Sequence, residues 1–301
     1  MKEKIHQLIR EINKVILGNE NQINLAVICL LAKGNLLIED LPGTGKSTLS
    51  KTLAKCFGLE FKKVHFTNDL LPSDLLGINI FNTKNSSFTF EPGPIFSNVL
   101  LAEEINRASP RTQSALLEAM NNKEINIDGE RMKLPSPFYV IASQNPIDQI
   151  GTSPLPESQL DRFLMRISLG TPNREAERKI LQGENTNPDE VDKILSIEEL
   201  LNIQDSIEKF PVSIEIYEYI LDLIEISRKS SRGKIGGLST RAALGILNSA
   251  KAYAFMNDDQ SLLPDHVQFI FSSVTEHRLD NGFKEKNSLS EIILKKVDAI
   301  R

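Results

Sequence analysis

Through about residue 170, apolar residues fall in short runs separated by amphipathic stretches. The runs are Leu36-Leu37-Ile38, Val64-His65-Phe66, Val99-Leu100-Leu101-Ala102, Phe138-Tyr139-Val140-Ile141-Ala142 and Phe163-Leu164-Met165-Arg166-Ile167. After the first, Leu49, Leu53 and Phe57 recur at a helical interval and share one face. Apolar strands alternating with helices predict an open parallel α/β sheet, here of five strands. Two segments break the rhythm. Ile125 to Met132 alternates apolar and polar around Asp128-Gly129, a strong hairpin signal. Ile78 to Phe90 predicts a second hairpin with a longer polar tip, Asn82-Thr83-Lys84-Asn85-Ser86-Ser87. Strand signals fade after Gly170-Thr171-Pro172, and the polar stretch Gln182 to Glu190 predicts a loop. From Pro211 the spacing is helical: Ile216, Ile220, Leu223 and Ile224, then Leu244, Leu247 and Ala250. The expected organisation is an α/β domain over 1–172 carrying both hairpins, a helical linker region over 173–210 and an all-helical domain over 211–301.

Composition narrows the class. At 301 residues, 40% hydrophobic and 25% charged, the chain has enough apolar surface for a sizeable core without disulfides or metal. Cys29 and Cys56 lie in helical stretches with no ligand-like neighbours, and His6, His65, His266 and His277 are scattered. The N-terminal residues mix charged and apolar side chains, unlike a signal peptide, and the apolar run near Ala26 to Ala32 is too short to span a bilayer. A cytoplasmic protein is expected. A formal net charge of −5 argues against nucleic acid as the main partner, because phosphate contacts need a basic surface.

Candidate chemistry concentrates at two strand ends. Leu36-Leu37-Ile38-Glu39-Asp40-Leu41-Pro42-Gly43-Thr44-Gly45-Lys46-Ser47-Thr48 reads as a strand, a glycine-containing loop and the opening of a helix. Such a loop aims backbone N–H groups at an anion on the helix N-terminus. In this P-loop pattern Pro42 to Thr48 hold nucleotide phosphates, Lys46 reaches the β- and γ-phosphates, and Ser47 places its hydroxyl on Mg²⁺. Asp40 occupies the first glycine position, adding negative charge near the phosphates at a residue type that tolerates unusual backbone angles. The second strand end is Val99-Leu100-Leu101-Ala102-Glu103-Glu104. It delivers two carboxylates to the sheet edge where α/β folds bind ligands, one suited to Mg²⁺ and the next to polarising water.

With these motifs, several others are similar to the MoxR family of AAA+ ATPases. They are Glu91-Pro92-Gly93-Pro94-Ile95, Glu104-Ile105-Asn106-Arg107-Ala108, Gln113 to Met120, Ser143-Gln144-Asn145-Pro146, Gly151-Thr152, Pro154-Leu155-Pro156-Glu157 and Gln159-Leu160-Asp161-Arg162-Phe163. The resemblance runs from about Val15 to about Val267. It implies an AAA+ core with a five-stranded sheet and a small helical lid, binding ATP or ADP with Mg²⁺ at Ser47 and Glu103, with Glu104 acting on the lytic water. It also implies that Asn145 is a sensor 1 residue, Arg162 an arginine finger for a neighbouring subunit, and Arg241 a sensor 2 residue on the lid. The hairpins resemble inserts that face substrate or pore. The implied activity is chaperone-like remodelling of partner proteins by a ring, a hexamer, often beside proteins with von Willebrand factor type A domains. One departure stands out: the Mg²⁺ position is usually Asp, and here it is Glu103. Mg²⁺ demands near-ideal octahedral geometry, so the longer side chain predicts slow turnover and a several-fold gain in kcat for Glu103→Asp. Asp40 and Glu103 together motivate an alternative, a nucleotide-dependent binding module or switch with very low turnover. A third reading is a nucleic-acid translocase, which the acidic charge opposes.

Overall fold

Alternating burial on both faces of a parallel sheet organises the chain. The computed structural model describes residues 2–83, 86–145, 153–230, 237–279 and 288–298. Lys84 and Asn85 at the first hairpin tip, and Pro146 and Gly151-Thr152 of the motifs above, lie outside them. Helices α1 (Lys2–Val15) and α2 (Glu20–Leu31) precede strand β1 (Leu36–Glu39), helix α3 (Lys46–Cys56) and strand β2 (Phe61–His65). Helix α4 (Pro72–Leu76) leads into the hairpin β3 (Gly77–Asn82) and β4 (Ser87–Pro92). Strand β5 (Val99–Glu103), helix α5 (Pro110–Asn122), the hairpin β6 (Glu124–Ile127) and β7 (Glu130–Lys133), and strand β8 (Tyr139–Gln144) follow. Short helix α6 (Glu157–Leu160) and strand β9 (Met165–Ile167) complete the sheet.

The five strands run parallel in the order β2-β5-β8-β1-β9. Leu36, Ile38, Val99, Leu101, Tyr139 and Ile141 face one core with α1, α2 and α3. Their neighbours Leu37, Leu100, Ala102, Val140 and Ala142 face the other, with Leu116, Leu117 and Met120 of α5. This double burial is why these strands read as continuous apolar runs. Helix α2 is buried without a break from Ala26 to Leu31, so it too reads as apolar all round.

Strand β2 begins before its apolar signal. It is an edge strand, and Lys62 and Lys63 are exposed on it, which protects the edge but hides the pattern. Phe66 lies past its end in the second core.

From Arg174 the described residues hold only helices: α7 (Arg174–Leu181), α8 (Ile197–Glu208), α9 (Ile214–Ser230), α10 (Thr240–Met256), α11 (Pro264–Leu279) and α12 (Leu289–Leu294). The segment 182–190 is irregular, as its polarity predicts. The expected face of α10 is rotated. Leu244 is 56% exposed, and the buried positions are Ala242, Gly245, Ile246, Ser249 and Ala250. Small residues win because the contact is close: a Cβ on Gly245 would lie 2.9 Å from Leu164 Cδ1.

Candidate nucleotide site

The P-loop connects β1 to α3 at the C-terminal edge of the sheet. Gly43 and Gly45 have φ of +85° and +90°, a region that L side chains rarely adopt. Neither glycine is crowded, so backbone angle alone requires them. Gly45 is the N-cap of α3 and supplies no side-chain cap. The first amides of the helix therefore remain available to an anion.

Asp40 behaves otherwise than its place suggests. It has no positive φ, and its side chain does not line the loop's cleft. Buried to 7% exposure, its carboxylate turns toward the end of β9. There it accepts hydrogen bonds from Ser168 Oγ at 3.0 Å, the Leu169 amide and the Gly170 amide at 3.2 Å. The charge expected near phosphate is spent on fixing the start of the loop to the neighbouring strand.

A cleft of about 330 Å³ opens above the loop, lined by Pro42 to Thr48, Glu103, Glu104, Ser143, Gln144 and Asn145. The paired acids reach it by a backbone turn. Consecutive strand residues point to opposite faces, but Glu104 leaves β5 with φ 54° and ψ 47°, left-handed and strained for a residue with a side chain. Both carboxylates thereby face one cleft. Ser47 Oγ donates to Glu103 Oε1, while Lys63 Nζ lies 2.8 Å from Glu103 Oε2. Burial alone would raise the Glu103 carboxyl, but hydrogen bonds from Lys63 and Ser47 and the nearby positive charges hold it below the usual value. The Glu104 carboxylate lies 2.6 Å from Arg107 Nε. His65 stands between the acids, 3.7 Å from Glu103 and 3.8 Å from Glu104. Lys46 donates to the carbonyls of Asp40 and Leu41 at 2.7 and 2.6 Å. Burial lowers the ammonium's pKa against the opposing pull of Asp40, Glu104 and Glu103.

The donor set fits a nucleotide with Mg²⁺. A hydroxyl and an ionised carboxylate already in contact are oxygen ligands of the kind Mg²⁺ takes, and the uncapped helix amides with Lys46 suit phosphate.

These positions match known proteins along most of their length. The family described as "ATPase family associated with various cellular activities (AAA)" matches residues 35–165, and "AAA lid domain" matches 229–296. Chaperone MoxR1 of Mycobacterium tuberculosis is 36% identical over 92% of this chain and 76% of its own. The chain belongs to the MoxR family of AAA+ ATPases. YeaC of Bacillus subtilis is 39% identical over 92% of this chain and 88% of its own. A crystal structure of a Cytophaga hutchinsonii protein superposes with a TM-score of 0.89 at 37% identity, covering 100% of this chain and 96% of that one. Parallel five-stranded core and helical lid are thus the AAA+ fold of this MoxR family member.

Two predicted site residues stand outside the cleft. Arg162 follows α6 and donates through Nη1 to Leu117 O at 2.5 Å. It does not pair with Asp161, the obvious surface partner. Arg241, half-exposed in the first turn of α10, lies 3.6 Å from Asp161. Sequence reasoning missed the residue that takes Asp161 most closely, Arg278 on α11, at 2.8 Å. It also missed Lys63 and His65. Their signal was available: alternate residues on a strand share a face, and His65 pairs in register with Glu103.

Proposed function

We propose that this MoxR protein hydrolyses ATP with Mg²⁺ in the cytoplasm, as a ring oligomer and specifically a hexamer, and uses the cycle to remodel or activate partner proteins. The observation that carries the enzymatic part is the convergence of Lys46, Ser47, Glu103 and Glu104 on one cleft beside an uncapped helix N-terminus. In this reading the loop amides and Lys46 bind the phosphates, while Ser47 and Glu103 hold Mg²⁺, which when bound neutralises charge developing on the transferred phosphoryl group. Glu104, fixed by Arg107, orients and deprotonates the attacking water, and Asn145 at the end of β8 aligns that water with the terminal phosphate. Arg162 belongs to the neighbouring subunit's site, which is consistent with its absence from its own cleft. Arg241 on the lid is assigned to the nucleotide of its own subunit. The chaperone role rests on similarity to Chaperone MoxR1, and we extend it to a client bearing a von Willebrand factor type A domain. No helix among the described residues is long and apolar enough to cross a membrane.

Steady-state phosphate release separates this reading from a slow nucleotide switch. Wild-type turnover should exceed that of Glu104→Gln by about 10²-fold or more. If the two release phosphate equally slowly while both bind ATP, hydrolysis is not the activity and the switch reading takes its place.

A further inference from the structure

We propose that Arg278 is a positioning residue for Arg162, holding the turn that carries it through Asp161 and thereby tying the finger to the helical lid. The proposal rests on the reading of Arg162 as a finger.

Arg278 has a side chain only 5% exposed. Its Nε donates to Asp161 Oδ1 at 2.8 Å, and Nη2 donates to the carbonyls of Asp161 at 3.2 Å and Phe163 at 2.7 Å. Nη1 donates to Leu164 O at 3.2 Å and to Val274 O within its own helix. The residues on both sides of Arg162 are therefore gripped by one guanidinium. His277 adds a contact, its Nε2 lying 3.1 Å from Phe163 O.

Arg162 itself is specified far less. Among the described residues its side chain donates to one acceptor, Leu117 O, and its buried Nε has no hydrogen-bond partner. Its direction is thus set by the backbone of the turn. On the sheet side that turn is held by Leu164 N donating to Asn35 O at 2.8 Å. On the other side its free carbonyls are satisfied by α11. Arg241 and Ser239, at the start of α10, approach the same Asp161 carboxylate at 3.6 and 3.3 Å. One carboxylate therefore joins two lid helices to the residue preceding the finger. A lysine cannot reproduce this, because five donors in a planar fork are needed to reach acceptors in several directions.

The test uses the full chain with Arg278→Lys and, because a buried arginine can be needed for folding, Asp161→Asn, which keeps the side-chain size. Arg162→Ala runs in parallel. Binding of a fluorescent ATP analogue should stay within about 3-fold of wild type, since no cleft residue is changed. The kcat should fall by about 10²-fold, the usual cost of a misplacement on the ångström scale. The deciding arm mixes each variant with Glu104→Gln, whose finger is intact. Activity above both parents is expected, as for Arg162→Ala, because the defect lies in the group offered to the neighbour. A kcat within 2-fold of wild type for both variants overturns the proposal. So does a loss that mixing fails to recover while Arg162→Ala is recovered, for the defect is then in the subunit's own site or lid. Loss of nucleotide binding in both variants makes the contacts purely structural and also overturns it. If Arg162→Ala itself keeps full turnover, the finger reading fails and takes this proposal with it.

Discussion

Glu103 is the residue on which sequence and geometry part company. A departure from the usual Asp predicts poor metal geometry and faster turnover on shortening. In the fold the longer carboxylate is already seated, one oxygen on Ser47 and the other on Lys63. Glu103→Asp withdraws it by about 1.5 Å, one C–C bond, and leaves Lys63 without its partner. We therefore expect single-turnover hydrolysis at saturating Mg²⁺ to equal or fall below wild type, with ATP affinity little changed. A several-fold rise would show that Glu103 is a misfit after all. Asp40 calls for the opposite intuition, since restoring the usual glycine looks harmless. Asp40→Gly removes the acceptor of the Leu169 and Gly170 amides. It should cost about 2 kcal/mol of stability in chemical denaturation, the penalty of leaving a buried donor unpaired. An unchanged unfolding midpoint would mean that water replaces the carboxylate without loss.

At the scale of elements, what the sequence reveals follows from burial. Strands with both faces covered, such as Val99 to Ala102, announce themselves, and so do hairpins with an Asp-Gly turn. What stays hidden depends on contacts between distant segments. The strand order is one example, and the Asp40 tie to β9 and the rotated face of α10 are others. Gln204 of α8, buried and donating to both Leu30 O and the Tyr139 hydroxyl, reads as an ordinary polar helix residue until α2 and β8 are beside it. Helix α11 carries a further hidden feature. His277 is buried, and desolvation, with Arg278 and Arg166 nearby, depresses its pKa well below 6.5. The folded state keeps the ring neutral while the unfolded chain protonates it near its ordinary value. Below about pH 6.5 the unfolded state binds more protons, so stability falls with falling pH. Denaturation midpoints of wild type and His277→Gln between pH 7.5 and pH 5 should differ in slope, wild type declining more steeply. Parallel profiles would place the pH sensitivity elsewhere.

For the whole molecule, the proposed ring requires head-to-tail assembly. The cleft holds Lys46, Ser47, Glu103, Glu104 and Asn145, while Arg162 lies outside it against Leu117. A site whose finger comes from a neighbour needs a heterologous interface, and such interfaces close into rings when the rotation permits. Two defective subunits then complement each other in a calculable way. Arg162→Ala keeps Glu104 and lacks a finger; Glu104→Gln keeps a finger and lacks the base. With random mixing at a fraction f of the first, a competent interface forms with frequency f(1 − f), so at most about a quarter of interfaces work. Activity plotted against f should rise from near zero, peak at equal proportions and return to near zero. The peak should reach about a quarter of the wild-type rate if sites fire independently, and less if a ring needs more than one competent site. Pre-formed homomeric rings that do not exchange subunits would give a flat line, so mixing is done below the assembly concentration and ATP is added afterwards. A flat line under those conditions, with sedimentation showing monomers in saturating ATP, rules out the ring and returns Arg162 to a structural role against α5.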